Sequence, residues 1–175
     1  IFGAKEQLKR NLIEAPKKNS VEIDLDLDFK KSILDVLRHP TVGSKNFLIT
    51  IGDRNVGGLT YRDQMVGPYQ IPVADNGITM ANFDSIEGEA MSLGERAPLA
   101  VSNAPASGRV AITEALTNIL SSGVEELSKV KLSANWMASP NNDVNNFDLY
   151  QTVKSISERL CNEWNITCLL YTSPS

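Results

Sequence analysis

Strand-like and helix-like apolar patterns alternate along this chain, and that alternation restricts its fold more than any other feature. The apolar, β-branched run at residues 45–51 predicts a buried strand. Residues 107–121 carry apolar side chains at helical spacing and form the clearest predicted helix. A strand at 130–137 and a helix at 148–160 are predicted next. Such alternation favours an α/β or intimately mixed α+β fold.

The other predicted elements are shorter. Residues 29–38 have apolar side chains at i, i+4, i+7 and i+8, which predicts an amphipathic helix that stops before Pro40. The alternating residues 21–28 indicate a strand, but Asp28 is equally suited to cap the helix that follows. Further elements are predicted as a weak helix at 4–13, short strands at 59–62, 69–74 and 78–83, and a helix through Ala90 and Met91.

Composition excludes several classes of protein. The 175 residues carry a net charge of −4, so no basic surface favours nucleic acid or an anionic membrane. Apolar runs are far too short to span a bilayer, and the start of the chain shows no signal-peptide pattern. Two cysteines, Cys161 and Cys168, make no disulfide framework and indicate a reducing compartment. We therefore expect a cytoplasmic protein without nucleic-acid or membrane partners.

The most specific polar constellation is Asp75 with Glu114 and Asn118. Asp75 follows the predicted strand at 69–74, and strand ends often carry site residues in α/β folds. Glu114 and Asn118 are four residues apart in a predicted helix, so they project from one face about one turn apart. Ala111 and Ala115 share that face, and their small side chains leave room for a ligand to approach closely.

Two carboxylates and one amide oxygen suit a hard cation such as Mg²⁺, which commonly shares phosphate oxygens with its ligand. The same residues have a plainer interpretation. A Glu/Asn pair at this spacing is commonly a solvated helix face, and an aspartate after a strand is commonly a turn cap. From spacing alone, the plainer interpretation carries more weight.

Three further motifs are less specific. The stretch Gly52-Asp53-Arg54 with Gly57-Gly58 is either a phosphate-cradling loop or a simple turn, and it matches neither the Walker pattern nor G-x-G-x-x-G. Arg62-Asp63-Gln64 either positions a polar ligand or forms a surface ion pair. His39 is the only histidine, so a Ser-His-Asp triad within this chain is hard to sustain. No catalytic residue is assigned.

Four motifs in order carry a family resemblance. They are FLITIGDRNVGGLTYRDQMVGPYQIPVADNGIT at 47–79, GEAMSLGERAP at 88–98, EALTN at 114–118 and KLSANWM at 131–137. Together they resemble the large, single-chain form of the phosphoribosylformylglycinamidine synthase family, over about residues 29–167. The run of Gly52-Asp53-Arg54, Gly57-Gly58 and Arg62-Asp63-Gln64 argues against another ATP-using relative such as selenophosphate synthetase.

The resemblance implies an enzyme of purine biosynthesis. Such enzymes convert formylglycinamide ribonucleotide, ATP and glutamine to formylglycinamidine ribonucleotide, ADP, phosphate and glutamate. Their synthase region has two repeats of the aminoimidazole ribonucleotide synthetase-like (PurM-like) fold, and a separate glutaminase domain supplies ammonia. By motif order, residues 1–53 resemble the end of the first repeat's C-terminal α/β half. Residues 54–167 resemble the N-terminal half of the second repeat.

The resemblance also implies site residues and partners. The family's magnesium ligands correspond to Asp75, Glu114 and Asn118, and Ala74 corresponds to a position that contacts ATP or ADP. The resemblance also implies a fourth metal ligand, an aspartate, that lies in the family beyond the end of this chain. The expected partners are the nucleotide, formylglycinamide ribonucleotide, the remaining repeats and the glutaminase domain. Because the site belongs to the second repeat, we expect its nucleotide to be structural rather than catalytic.

The resemblance stops near residue 167. The family continues there with a proline and a Gly-Lys-Asp-Ser motif, whereas residues 168–175 follow no family pattern and are predicted to be a non-native tail. We therefore expect an internal fragment that is inactive by itself. The alternative hypothesis is a non-catalytic nucleotide-binding or scaffold module that uses the same fold.

Overall fold

The computed structural model of the chain describes residues 11–14, 26–139 and 142–172, without the side chains of 170–172. The described residues form two compact units, one comprising 26–91 and the other comprising 11–14 together with the chain from Ser92 onward. The predicted helix at 4–13 and strand at 21–28 lie mostly outside the described residues. Their described parts, 11–13 and 26–28, have no regular secondary structure.

The unit formed by 26–91 begins with helix α1, Phe29–Arg38, whose predicted bounds are confirmed. Asp28 caps the helix as the sequence suggested, because its Oδ1 accepts a hydrogen bond from the Lys31 N–H at 3.1 Å. No residue of α1 is buried. The amphipathic pattern therefore predicted the helix correctly, although none of its apolar side chains is buried among the described residues.

The predicted strand at 45–51 is wrong, because these residues form helix α2, Asn46–Thr50. The Thr50 hydroxyl donates to the backbone oxygen of Asn46 at 3.1 Å, a contact one helical turn away. Phe47 remains 61% exposed. A short apolar run fits a strand and a helix equally well until a pairing partner decides, and no described strand pairs with this one.

Three short strands follow in the order β1 (Thr60–Arg62), β2 (Asn76–Met80) and β3 (Gly88–Ser92). Strands β1 and β2 are antiparallel, with Thr60 opposite Thr79. The predicted strands at 59–62 and 78–83 are thus confirmed with small shifts. The predicted helix through Ala90 and Met91 is wrong, because β3 pairs with β2, a partner that its local sequence does not indicate.

The predicted strand at 69–74 is also wrong. Gly67 has a φ of 78° and Gln70 a φ of 51°, so the chain turns here instead of extending. Only an isolated bridge between Met65 and Val73 remains in this described stretch. Consequently Asp75 lies immediately before β2 and does not follow a strand.

The second unit contains a parallel strand pair joined by helices. Strands β4 (Lys131–Trp136) and β5 (Thr167–Thr172) run parallel, with Lys131 opposite Thr167. Helix α3, Ala97–Ile119, precedes them, and helix α4, Asp143–Lys154, connects them. Helix α4 continues through a π-helical turn, Ser155–Leu160, into α5, Cys161–Glu163. The predicted strand at 130–137 and the predicted helices at 107–121 and 148–160 are confirmed.

The main apolar core lies in this second unit. It comprises Ile112, Leu116, Val130, Ile156, Leu160, Cys161 and Ile166. Ile156 is completely buried. Among the described residues of the other unit, Met65 is the only buried apolar side chain. The fold class is mixed α+β, as predicted. None of the helices within 26–139 and 142–172 is long and apolar enough to cross a membrane.

Candidate cation and nucleotide site

One face of helix α3 is covered by the chain's own backbone. This face carries Ala111, Glu114, Ala115 and Asn118, and the 92–96 segment, Ser92–Arg96, lies along it. The Ser92 hydroxyl donates to the backbone oxygen of Ala115 at 2.7 Å. A Cβ atom at Gly94 would lie 1.9 Å from the Ala111 oxygen, so only glycine permits this approach. Ala111 and Ala115, whose small side chains were expected to leave room for a ligand, leave room for the 92–96 segment.

Glu114 is held by two donors from this segment. Its Oε2 accepts a hydrogen bond from the Arg96 guanidinium at 2.8 Å and one from the Glu95 N–H at 3.3 Å. The Glu114 side chain is 28% exposed. Its other oxygen, Oε1, has no partner among the described residues. The carboxylate is therefore oriented through one oxygen and retains acceptor capacity at the other.

Asn118 is tied to the same segment through its amide nitrogen. Nδ2 donates to the backbone oxygen of Leu93 at 3.0 Å. Only the nitrogen of a side-chain amide can donate, so this contact determines which way the amide faces. The nitrogen, and not the oxygen that would bind a cation, is thus the atom turned towards the Leu93 carbonyl.

Asp75 and Ala74 belong to the other unit. Asp75 is exposed, just before β2. Ala74 is half-buried, and its N–H donates to the backbone oxygen of Gln64 at 2.8 Å. The structure thus brings Glu114 and Asn118 together on one helix face. Their predicted convergence with Asp75, and the nucleotide contact at Ala74, stay predictions.

The donor chemistry of these residues fits a hard cation. Carboxylate and amide oxygens are the ligands that Mg²⁺ takes up in proteins. Within each unit, no group of three or more His, Cys, Asp or Glu side chains among the described residues is arranged to hold a metal ion. The predicted ligand set differs from such a group, because it includes the amide oxygen of Asn118 and because Asp75 belongs to the other unit. The positive charge of Arg96, which pairs with Glu114, disfavours the binding of a cation there.

The Gly52-Asp53-Arg54 motif forms an ion pair with the Arg62-Asp63-Gln64 motif. The Arg54 guanidinium pairs with the Asp63 carboxylate and also donates to the Gln70 side-chain oxygen at 2.6 Å. The ion-pair interpretation of Asp63 is therefore confirmed. Gly57 and Gly58 both have φ near +80°, a conformation that favours glycine. Whether this turn holds a phosphate stays a prediction.

Sequence reasoning missed a cavity of about 370 Å³ between α3, the end of β4 and α4. Gly108, Trp136, Asp148 and Thr152 are among its lining residues. A Cβ atom at Gly108 would lie 2.7 Å from Ile156 Cδ1 and 2.8 Å from Thr152 Cγ2, so this glycine permits close packing of α3. The sequence feature that could have indicated this cavity is Gly108, because a glycine inside a predicted helix often has a packing reason.

Both cysteine thiols are free and lie in the second unit. Cys161 is buried in the core, where its thiol packs among apolar side chains. Burial raises the pKa of the Cys168 thiol to about 11, and the neighbouring Cys161 contributes to the rise through charge repulsion and a hydrogen bond. Cys168 is thus a weakly ionised thiol at neutral pH.

The fold is that of an α+β domain with a polar helix face tied to a preceding backbone segment. Residues 44–170, well over half of the chain, match the family model of the FGAR-AT PurM_N-like domain, and the chain belongs to this family. The family associates the chain with purine biosynthesis. The match continues beyond residue 167, and residues 167–172 form β5. The non-native origin of 168–175 stays a prediction.

Proposed function

We propose that the chain is part of a phosphoribosylformylglycinamidine synthase of the large, single-chain form. The observation that carries this proposal is the family match over residues 44–170. The order of the four motifs between Phe47 and Met137 supports it. The reaction replaces the amide oxygen of formylglycinamide ribonucleotide with nitrogen, with ATP as the phosphoryl donor and glutamine as the source of nitrogen. We expect the enzyme to act in the cytoplasm.

Within that enzyme, we assign this chain a nucleotide site. Asp75, Glu114 and Asn118 would hold Mg²⁺, and Ala74 would lie against ATP or ADP. The cation would offset phosphate charge. The oxygen chemistry of the three side chains supports this assignment, as does the shared helix face of Glu114 and Asn118. The remaining repeats and the glutaminase domain would complete the enzyme and its substrate site.

Nucleotide binding by the 175-residue chain tests the assignment. A fluorescent ADP analogue is titrated against the chain at several Mg²⁺ concentrations. We expect saturable, Mg²⁺-dependent binding that weakens at least about tenfold in Asp75→Ala and Glu114→Gln, since each removes a charged ligand.

The matched control for this titration is Glu125→Gln. Glu125 is 82% exposed and forms an ion pair with Lys129 at 3.5 Å, so its loss leaves the proposed site intact. Equal Mg²⁺-dependent binding by all variants, or no Mg²⁺-dependent binding by any form of the chain, would contradict the assignment.

A non-catalytic nucleotide-binding or scaffold module is the second candidate. It is favoured by one observation: Glu114 and Asn118 already hold the chain's own 92–96 segment. The two candidates differ in the flanking gene sequence: a downstream Gly-Lys-Asp-Ser motif and a glutaminase domain would support the synthase. Within the synthase we expect the site to be architectural, so Asp75→Ala in the intact enzyme should lower folding yield and retained nucleotide more than turnover. A well-folded Asp75→Ala enzyme that retains nucleotide and loses turnover would instead indicate a catalytic site.

A further inference from the structure

We infer that the 92–96 segment positions Glu114 and Asn118 as cation ligands, with Arg96 as the principal positioning residue. This inference rests on the proposed nucleotide site and assigns roles to residues that the proposal leaves out. It follows from four contacts that fasten three residues of the segment to four different residues of helix α3.

The first step concerns the Glu114 carboxylate. Oε2 is occupied by Arg96 and by the Glu95 N–H, whereas Oε1 accepts nothing from the described residues. A carboxylate fixed through one oxygen presents the other in a defined direction. Hydrogen-bond partners of metal ligands commonly act in this way. The geometry thus resembles a supported ligand rather than a ligand that is blocked.

Arg96 is itself anchored, so it is able to serve as a support. Its backbone oxygen accepts a hydrogen bond from the Ser107 hydroxyl at 2.6 Å, and Ser107 is only 8% exposed. Its guanidinium also donates to the Glu95 backbone oxygen at 2.8 Å. The backbone and side chain of Arg96 are therefore both restrained, which limits the motion of the guanidinium that binds Glu114.

The second step concerns the Asn118 amide. A freely rotating amide presents nitrogen or oxygen to a cation with equal ease, and only the oxygen binds one. Donation from Nδ2 to Leu93 selects the amide orientation in which the nitrogen, and not Oδ1, faces the Leu93 carbonyl. The Ser92 contact and the close approach at Gly94 hold Leu93 in register with the helix.

The charge of Arg96 acts in the opposite direction, because a guanidinium repels an incoming cation. Its side chain is 49% exposed, so water screens much of that repulsion. Loss of a supporting hydrogen-bond partner commonly lowers metal affinity about 10–100-fold. Positioning is therefore the larger effect, and removal of Arg96 should weaken cation binding.

Mg²⁺-dependent binding of the fluorescent ADP analogue by the full chain tests Arg96. Arg96→Gln should raise the Mg²⁺ concentration for half-saturation about tenfold. Binding without Mg²⁺ and the thermal midpoint should change little. Arg96→Lys should recover part of the loss, because its ammonium still donates to the carboxylate. The control Arg159→Gln removes a similar exposed Arg–Glu pair, with Glu163 at 3.3 Å, and should have no effect.

Asn118→Asp supplies an independent test with opposite expected signs. If Asn118 contributed only an oxygen, the added negative charge should tighten Mg²⁺ binding. If its amide must donate to Leu93, the carboxylate would face that carbonyl oxygen and Mg²⁺ binding should weaken severalfold. Tighter binding by Asn118→Asp would overturn the inference, and this result does not depend on the Arg96 variants.

The outcomes also separate the inference from the proposed function. If Glu114→Gln abolishes Mg²⁺-dependent binding while Arg96→Gln leaves it unchanged or tighter, the positioning role is refuted and the site survives. If Glu114→Gln has no effect, the site itself is refuted, and the positioning role with it. If Arg96→Gln and Asn118→Asp both weaken Mg²⁺ binding in folded protein, the inference is supported.

Discussion

At the scale of single residues, this chain shows how one pair of polar side chains meets a structural and a chemical requirement together. Glu114 and Asn118 fasten a backbone segment to helix α3, and both side chains carry oxygen atoms of the kind that suits a cation. Their spacing of four residues predicted a shared face but not the partner on that face. That partner is distant in sequence, since the hydrogen bonds from Glu95 and to Leu93 span 19 and 25 positions.

The thiol of Cys168 supplies a pH prediction at this scale. Its folded-state pKa is raised from 9.0 to about 11, mainly by burial. Folding therefore favours the protonated thiol. The associated stability is fully present below the unfolded pKa of 9.0 and is lost as the pH rises towards about 11. We expect the rate of Cys168 alkylation by iodoacetamide, followed by mass spectrometry, to have its midpoint near a pH of about 11.

Cys161→Ala is the control for this measurement. It removes the smaller, charge and hydrogen-bond contributions, so the Cys168 midpoint should fall while staying above 9.0. A wild-type midpoint at 9.0 would show that burial does not shift the pKa.

At the scale of elements, helix α3 is two helical segments joined at Asn103. The backbone there is non-helical, with φ −156° and ψ 90°, and the Asn103 side-chain oxygen accepts from the Ala106 N–H at 3.0 Å. Asn103 thus caps the second segment, and Pro105 falls in its first turn, where proline is tolerated. The predicted helix at 107–121 begins within the second segment.

The cap leads to a stability prediction. Asn103→Ala should lower the free energy of unfolding by roughly 0.5–2 kcal/mol, because the N–H of Ala106 loses its acceptor. Asn103→Asp keeps an acceptor and should stay close to the wild type. Urea denaturation of the full chain, followed by circular dichroism, measures both variants. Equal destabilisation by the two would contradict a capping role.

At the scale of the whole molecule, the two units differ in how much apolar surface they bury. Seven of the described residues form the core around Ile156, whereas Met65 is the only buried apolar side chain among residues 26–91. Burial of apolar area is the main source of folding free energy. The unit from Ser92 onward should therefore be the more stable of the two in this chain.

Native-state hydrogen exchange tests this difference. Amides of α3, β4 and α4 should exchange more slowly than amides of β1 and β2, because local opening needs less free energy where fewer apolar contacts are lost. Ile156→Ala should accelerate exchange in the first set, since it deletes a fully buried side chain. Equal protection of both sets would contradict the assignment of stability to the Ile156 core.

The sequence by itself determined the features that depend on neighbouring residues. The bounds of α1, its Asp28 cap and the amphipathic part of α3 follow from spacing within a few residues. The fold class and the family resemblance also came from order and composition along the chain. Such features are readable because helix periodicity and capping involve contacts three or four residues apart.

The tertiary structure decided the features that depend on distant partners. Residues 46–50 are helical and 88–92 form a strand, because strand identity depends on a pairing partner elsewhere in the chain. The 92–96 segment packs against the α3 face that carries Glu114 and Asn118, a contact that their spacing does not indicate. Local sequence encodes which groups a face presents, but close packing of remote segments decides what touches that face.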